Sequence, residues 1–235
     1  GNQVGKEDTT ITFDANAPDV DDSQALTFSL APAAPDGASI DPSSGVFAWG
    51  TTEADGPGVY TVTVGVSDSI TDDTETIQIT VNEINAAPVL TTIGSQVTNE
   101  DAPLAFIAAA DDVDIPTNVL TYSLALGAPA NAGIDPVSGV FTWTPTETDS
   151  PGVYTITVVV TDDGVPMLND SEALQITVNE VNDAPTFTGG PDQVLDEDSG
   201  AQTVNAWATA IIPGTADEAT QTLAFHVSTD NDALF

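Results

Sequence analysis

The chain has 235 residues, of which 37 are Asp or Glu and one, Lys6, is basic, so its formal net charge is −36. A chain this acidic is a poor partner for nucleic acids and for anionic membrane surfaces. One His and no Cys remove most of the nucleophile and general-base arrangements that enzymes use, so we expect no enzymatic activity. No apolar run approaches the roughly 18 residues of a membrane span, and we expect no direct membrane insertion.

An internal repeat organises the sequence. The segment from Ile40 to Val66 matches the segment from Ile134 to Val160 at 19 of 27 positions, with a constant offset of 94. A shorter motif, Gln-Val followed by Glu-Asp, occurs at residues 3–8 and recurs at 96–101 and 193–198. Self-similarity at a fixed period indicates tandem structural units.

A repeated linker sets the expected domain boundaries. ITVNEINAAP ends at Pro88, and ITVNEVNDAP ends at Pro185. The sequence therefore predicts a first domain at residues 1–87, a second at 88–184 and an incomplete third domain at 185–235.

The first two units carry strand signals in the same order. Apolar residues alternate with polar or small ones at 60–66 and 77–81, and the pattern returns at 154–160 and 174–178. A period of two is typical of half-buried β-strands. Because clusters of Asp, Pro, Gly and Ser separate these runs and no long helical period occurs, we expect an all-β protein of tandem antiparallel β-sandwiches.

Two aromatic pairs recur with the repeat. Phe47 and Trp49 are two residues apart, as are Phe141 and Trp143, so each pair shares one face of a sheet. Core packing is the favoured role for these side chains. A sugar-stacking surface is the alternative.

Acidic residues recur at equivalent turns of the two units. Recurrence at loop ends is expected if several loops converge on one ion, and Ca²⁺ prefers carboxylate and carbonyl oxygens. Acidic solvation of a halophilic or marine protein is the rival explanation. The recurring residues are Glu7, Asp19, Asp21, Glu53, Asp55, Asp68 and Glu83 in the first unit, and Glu100, Asp112, Asp114, Glu147, Asp149, Asp162 and Glu180 in the second.

Four motifs resemble those of cadherin repeats. VNEVNDAPTF resembles the cadherin linker V-x-D-x-N-D-N-x-P-x-F, and ADDVDIPTNVLTYSL resembles the D-x-D segment that is followed by Asn. TDDGVP is similar to the D-x-G-x-P turn, and Glu147-Thr148-Asp149 has the D-R-E spacing before Tyr154. The resemblance is closest to bacterial cadherin-like or Ig-like tandem repeats.

The resemblance implies Ca²⁺ between successive sandwiches. The implied ligands of the first junction are Glu7, Glu53, Asp55, Glu83, Asn85, Asp112, Asp114, Asn118 and Asp162. Those of the second are Glu100, Glu147, Asp149, Glu180, Asn182 and Asp183.

Departures from the pattern alter this expectation. Ala86 replaces the linker Asp in the first linker, so fewer ions than the family's three are expected there. The third unit has only Asp217 and Glu218 near the D-x-D position, so its half of a site is expected to be incomplete.

These features favour a calcium-stabilised stalk or adhesion segment of a bacterial surface protein, located extracellularly, at the cell surface or secreted. Its expected partners are calcium ions and, besides them, other copies of the repeat, surface proteins or glycans. One alternative is a carbohydrate-binding or spacer module of a secreted polysaccharidase. Another is a subunit of an extracellular filament or surface layer, in which another chain donates strands to the third unit.

Overall fold

The computed structural model describes residues 1–18, 24–196 and 198–229. Asp19, Asp21, Glu197 and the end of the third predicted domain, residues 230–235, lie outside the described residues. Within the described part the chain forms β-strands and short 3-10 turns, with no α-helix, so the all-β prediction is confirmed.

The strands follow the repeat. Those of the first repeat are β1 (Gln3–Lys6), β2 (Thr10–Asp14), β3 (Thr27–Leu30), β4 (Ser39–Ile40), β5 (Val46–Gly50), β6 (Gly58–Ser67) and β7 (Asp72–Asn82). Those of the second are β8 (Val89–Leu90), β9 (Gln96–Asn99), β10 (Leu104–Ile107), β11 (Ala110–Asp111), β12 (Thr121–Leu124), β13 (Gly133–Ile134), β14 (Val140–Trp143), β15 (Gly152–Thr161) and β16 (Asn169–Asn179). β17 (Thr186–Gly189) and β18 (Ala208–Ile212) follow, and 3-10 turns occupy Glu53–Asp55, Glu147–Asp149 and Asp217–Thr220.

The chain divides into two compact units. The first comprises Gly1–Gly94, Ala105–Thr142 and Ile156–Leu174. The second comprises Ser95–Leu104, Trp143–Thr155 and Gln175–Phe235. The residues implied as ligands at the first junction all fall in the first unit, and those implied at the second junction all fall in the second.

The first repeat is a sandwich of two sheets, ordered β1-β7-β6-β3 and β2-β5-β4. Most neighbouring strands are antiparallel, but β1 pairs with β7 in parallel, matching Lys6 with Asn82. The core lies between the sheets because alternate side chains of each strand point inward. It contains Ile11, Phe47, Trp49, Val62, Ile77, Ile79 and Val81.

The second repeat repeats this arrangement, with sheets ordered β12-β15-β16-β9 and β10-β14-β13. β9 pairs with β16 in parallel, matching Asn99 with Asn179. A further two-stranded sheet joins β8 to β11. The alternation in β15 buries Ile156, Val158 and Val160 almost completely.

The chain beyond Pro185 forms a smaller sheet, in which β17 pairs with β18. Its aromatic residues remain partly exposed, with Phe187 at 50%, Trp207 at 42% and Phe225 at 56% of full accessibility. These values contrast with Phe141 and Trp143, at 0% and 2%.

Candidate metal centre

Strand pairing brings Glu7 and Glu83 to one edge of the first sandwich. Glu7 directly follows β1 and Glu83 directly follows β7. Because these two strands are parallel neighbours, their carboxyl ends meet at the same edge. A main-chain bond from Glu7 N to Asn82 O (3.1 Å) continues the pairing past the end of β1.

The 3-10 turn Glu53–Asp55 adds a third carboxylate. It follows β5 and the next residue, Thr51, which is held against the turn between β1 and β2. The Thr51 hydroxyl lies within hydrogen-bonding distance of two carbonyl oxygens of that turn, Lys6 O (2.8 Å) and Thr9 O (2.9 Å). Carboxylate oxygens of Glu7, Glu53 and Glu83 consequently lie within 4.8 Å of one another. Among the described residues this is the one group of three acidic, His or Cys side chains that meets this distance.

Several oxygens of this cluster are buried without a hydrogen-bond donor. Glu7 is fully buried, and its Oε1 accepts from Ile84 N (2.6 Å) while its Oε2 has no partner. Both carboxylate oxygens of Glu83 are buried and unpartnered. Buried polar atoms normally have hydrogen-bond partners, so these oxygens are suited to bind a group that is not part of the chain.

The electrostatics of the cluster also favour a cation. Burial first, and then the negative charges of Glu7 and Glu53, raise the pKa of Glu83 to about 7. Burial and the charge of Glu7 likewise raise the pKa of Glu53, although a hydrogen bond from Ile115 N (3.0 Å) opposes the change. Over the described part of the chain, the ion pair found is that of the Gly1 ammonium with Glu75, so no protein cation neutralises the cluster.

Asp55 has a structural contact of its own. Its Oδ2 accepts from Thr52 N and Thr52 Oγ1, both at 2.8 Å, which caps the 3-10 turn. The hydroxyl of Tyr60 donates to the Asp55 carbonyl (3.0 Å). Of the two implied carboxylates in this turn, Glu53 therefore lies in the cluster and Asp55 stabilises the turn that carries it.

The remaining implied ligands of the first junction form a hydrogen-bonded network. Asn118 Nδ2 donates to Asp114 Oδ2 (2.6 Å) and to Asn85 Oδ1 (2.9 Å), and Asn85 Nδ2 donates to Asp162 Oδ2 (3.1 Å). Ala86 N donates to both oxygens of Asp114, at 3.0 and 3.2 Å. Ala86, which has no carboxylate, thus contributes a backbone N–H group that holds the Asp114 carboxylate.

Asp114 and Asp162 are each 3% exposed. Burial would raise the pKa of Asp162, but hydrogen bonds from Leu168 N, Asn85 and Gly164 N outweigh it and lower the pKa. Asp112 accepts from Asp114 N through Oδ1 (3.1 Å), and its buried Oδ2 has no partner. Asp112 therefore offers the network a further oxygen for a cation.

The second junction is only partly assembled. Glu100 is 5% exposed, accepts from Val181 N through Oε1 and has a buried, unpartnered Oε2, as Glu7 does. Asp149 caps its turn through Thr146, as Asp55 does through Thr52. In the part of the chain that the structure describes, Glu100 does not belong to any group of three acidic, His or Cys side chains whose ligand atoms lie within 4.8 Å of one another.

The other implied residues of the second junction lie nearer the surface. Partial desolvation and the charge of Asp217 raise the pKa of Glu180. A hydrogen bond from Thr215 lowers the pKa of Glu147, but the contact with Asp217 and desolvation outweigh it, so the net shift is upward.

The two linker residues of this junction are exposed. Asn182 Nδ2 donates to Asp183 O (3.1 Å), and its Oδ1 accepts from Gln221 Nε2 (3.0 Å).

Glu218 is a residue that the implied ligand set lacks. It is 2% exposed, accepts from Asp183 N, and accepts from Thr215 N through Oε2 (3.1 Å). Asp183 is the counterpart of Ala86, so Glu218 caps the second linker as Asp114 caps the first. The sequence does contain the acidic pair Asp217-Glu218 that could have indicated this contact, but two adjacent acidic residues do not have the D-x-D spacing of the motif.

The recurring aromatics are core residues, as predicted. Phe47, Trp49, Phe141 and Trp143 are between 0% and 2% exposed. Each Trp makes an edge contact with the Tyr of the next long strand, at centroid distances of 4.8 and 5.0 Å.

None of the helical segments in the described ranges has the length and apolar character needed to cross a bilayer.

Comparison with known proteins agrees with this architecture. The family model described as "Putative Ig domain" matches residues 1–82 and again 87–179. The chain is 34% identical over 143 residues to the Protocadherin-like wing polarity protein stan of Drosophila melanogaster, and 32% identical over 134 residues to Protocadherin Fat 4 of Mus musculus. These matches cover 54% and 53% of this chain but only 4% and 3% of the two relatives.

Solved structures with similar folds include extracellular cadherin domains 1–5 of Protocadherin Gamma B2, with a TM-score of 0.55 and 17% identity over 79% of this chain and 39% of that one. They also include human Protocadherin-24 EC1-2, with a TM-score of 0.50 and 20% identity over 71% and 87%. At such identities the likeness concerns the fold. The chain belongs to the family of Ig-like domains that the family model describes, and its repeats have the cadherin-like fold.

Proposed function

We propose that this chain is a calcium-stabilised stalk or adhesion segment of an extracellular, bacterial surface protein. The observation that carries the proposal is the convergence of Glu7, Glu53 and Glu83, in which Glu7 Oε2 and both carboxylate oxygens of Glu83 are buried without donors. Among the described residues the cluster has no protein counter-ion. Ca²⁺ fits this donor set because it takes six to eight oxygen ligands in flexible geometry. The cadherin names of the relatives support the same function.

The ligands would come from both sides of the first linker. Glu7, Glu53 and Glu83 belong to the first repeat and its exit, whereas Asp112, Asp114, Asn118 and Asp162 belong to the second repeat. A cation shared by these groups would replace repulsion by attraction and limit bending at the linker. Asn85, at the centre of the hydrogen-bonded network, and the Ala86 backbone would hold the linker in place.

The second junction would bind calcium through Glu100, Glu147, Glu180, Asn182 and Asp183, with Glu218 as an additional ligand. Asp55 and Asp149 would support the sites through the capped turns. We retain domain limits at 1–87, 88–184 and 185–235 as part of this proposal.

Calcium titration of the whole chain by isothermal titration calorimetry tests the proposal. Glu53→Gln removes one charge from the cluster and should weaken the tightest binding step at least roughly tenfold, the effect of about 1.4 kcal/mol. Glu75→Gln, on the exposed face of β7 and outside the cluster, is the matched control and should leave that step unchanged. Equal affinities for the two variants would refute the proposed centre.

Strand donation to the third segment is a second candidate function. Phe187, Trp207 and Phe225 stay partly exposed around a two-stranded sheet, which would be completed if another chain supplied strands. The same rings do not favour the carbohydrate-binding alternative, because Phe187 is inclined at 51° to Trp207 and 83° to Phe225 rather than coplanar with them. Concentration-dependent polymers in Ca²⁺ would support donation, and a strictly monomeric chain would refute it.

A further inference from the structure

Three Asp-Gly pairs occur in the sequence, at residues 36–37, 55–56 and 163–164. An Asp-Gly bond can rearrange without an enzyme, because the glycine nitrogen attacks the aspartate side-chain carboxyl and closes a five-membered ring. Glycine favours this attack, since it has no Cβ to hinder the approach. The reaction needs a carboxyl group and a backbone N–H that other contacts do not hold, so the contacts of each pair decide where it can occur.

The pair beside the proposed calcium cluster is held at both groups. Asp55 Oδ2 accepts from Thr52 N and Thr52 Oγ1, both at 2.8 Å. Gly56 N donates to Glu53 O (3.4 Å) at the end of the 3-10 turn. Before a ring could form here, the chain would have to break both the cap and the last bond of this turn.

The pair in the loop between β15 and β16 is held in the same way by other partners. Asp163 Oδ1 accepts from Val119 N (2.7 Å), and Gly164 N donates to Asp162 Oδ1 (3.0 Å). Because Asp162 is only 3% exposed, a buried group fixes the Gly164 N–H. Neither reacting group of this pair is therefore free.

Asp36 and Gly37 differ from both of these pairs. They are exposed, and they are the two central residues of a β-turn in which Ala38 N donates to Pro35 O (3.1 Å). The hydrogen bond of such a turn does not use the N–H between its central residues. Among the described residues, neither the Asp36 carboxylate nor Gly37 N has a hydrogen-bond partner. A Cβ at Gly37 would meet no atom within 4 Å, so the space around the bond is open.

We propose that the Asp36-Gly37 bond is the site of a spontaneous modification, in which the main chain is rerouted through the Asp36 side chain. Gly37 N attacks Asp36 Cγ, the hydroxyl of the protonated carboxyl leaves as water, and a succinimide ring forms. Water then adds to the α-carbonyl of the ring, whose bond to Gly37 N breaks. The product is an isoaspartyl residue with a free α-carboxylate. One water is lost and one is regained, so the reaction needs no oxidant or cofactor.

The rearrangement reaches the core through Trp49. The Asp36 carbonyl oxygen accepts from Trp49 Nε1 (3.1 Å), and the Trp49 side chain is 1% exposed. In the isoaspartyl product this oxygen belongs to a charged carboxylate and the main chain is one carbon longer, so the environment of the indole changes. The second repeat has the same turn, but Ala130 and Asn131 occupy its central positions, so it has no Asp-Gly bond there.

Incubation of the full chain in mildly acidic buffer, native and in urea, tests the proposal. Isoaspartate methyltransferase adds a labelled methyl group from S-adenosylmethionine to the new α-carboxylate, and peptide mapping assigns the label to one pair. In urea all three pairs should be labelled, because their contacts are lost. In the native chain the label should appear at Asp36 alone. No label at Asp36 in the native chain, or equal labelling of Asp55 or Asp163 there, would overturn the proposal.

Asp36→Glu is the matched control, because it keeps the charge and the backbone carbonyl while its longer side chain cannot close the five-membered ring. The change is made at Asp36 because Gly37 has a φ of +78°, at which a larger residue would be strained. After the same native incubation, tryptophan emission of the original chain should change in step with the label, and the variant should show neither effect. Equal label or an equal emission change in the variant would contradict the assignment to Asp36.

Discussion

At the scale of single residues, the cluster of Glu7, Glu53 and Glu83 has properties that a solvated acidic surface lacks. Exposed carboxylates keep their water, whereas Glu7 is fully buried and Glu83 has two buried oxygens without donors. Such groups destabilise the fold unless a proton or a cation compensates them. Protonation of Glu83 should therefore make the stability of the first repeat depend on pH in a way that can be measured.

Without a cation, the stability of the first repeat should fall as the pH rises from 5 to 8. The pKa of Glu83 is raised from 4.5 to about 7, so its contribution is complete below about pH 4.5 and is lost through about pH 7. Thermal unfolding in chelator measures this dependence. Glu83→Gln should remove that part of it, and an identical pH profile for both proteins would contradict the assigned titration.

Trp143 and Trp207 allow the effect of burial to be compared for one residue type. Trp143 is 2% exposed and Trp207 is 42% exposed. Trp143→Ala should reduce the free energy of unfolding by about 3 to 5 kcal/mol, the usual cost of truncating a buried aromatic residue. Trp207→Ala should cost clearly less. Chemical denaturation measures both, and equal losses would be inconsistent with the difference in burial.

At the scale of elements, the turns after β1 and β5 determine the shape of the cluster. Gly56 ends the 3-10 turn with φ of −112°, which any residue can adopt, so its lack of a side chain is the relevant property. A Cβ there would lie 2.1 Å from Glu7 Oε2. The glycine leaves room beside the unpartnered oxygen.

Gly56→Ala should therefore weaken calcium binding by displacing the Glu7 carboxylate, with little backbone strain. Gly50→Ala is the control, because a Cβ at Gly50 would meet no atom within 4 Å. Calcium titration of both variants, with unfolding curves alongside, separates an effect on the site from an effect on the fold. A Gly56→Ala protein with unchanged affinity would contradict the geometry of Glu7.

The sequence was sufficient for the strands but not for all contacts between them. Alternation in Tyr60–Val66 and its repeat predicted β6 and β15, because burial of one sheet face imposes a period of two. It could not indicate that β1 lies parallel to β7, since both orientations bury the same side chains. The cap formed by Asp55 and the contact of Glu218 with the second linker also depend on tertiary distances that spacing does not encode.

At the scale of the whole molecule, a net charge of −36 opposes the folded state through self-repulsion. Two explanations of this charge differ in what they require. Acidic solvation needs only salt, whereas the proposed junctions need a divalent ion at particular oxygens. The distinction decides whether calcium is part of the folded protein.

Differential scanning calorimetry of the full chain, in Ca²⁺ and in chelator at matched ionic strength, tests the central claim most directly. A ligand at a hundredfold excess over its Kd stabilises the native state by about 2.7 kcal/mol, which for a chain of this size raises Tm by roughly 5 to 10 °C. We expect such a rise in Ca²⁺ over chelator when the ionic strength is matched, because NaCl screens the self-repulsion but does not bind the particular oxygens of the junctions. Superimposable curves in Ca²⁺ and chelator would contradict it.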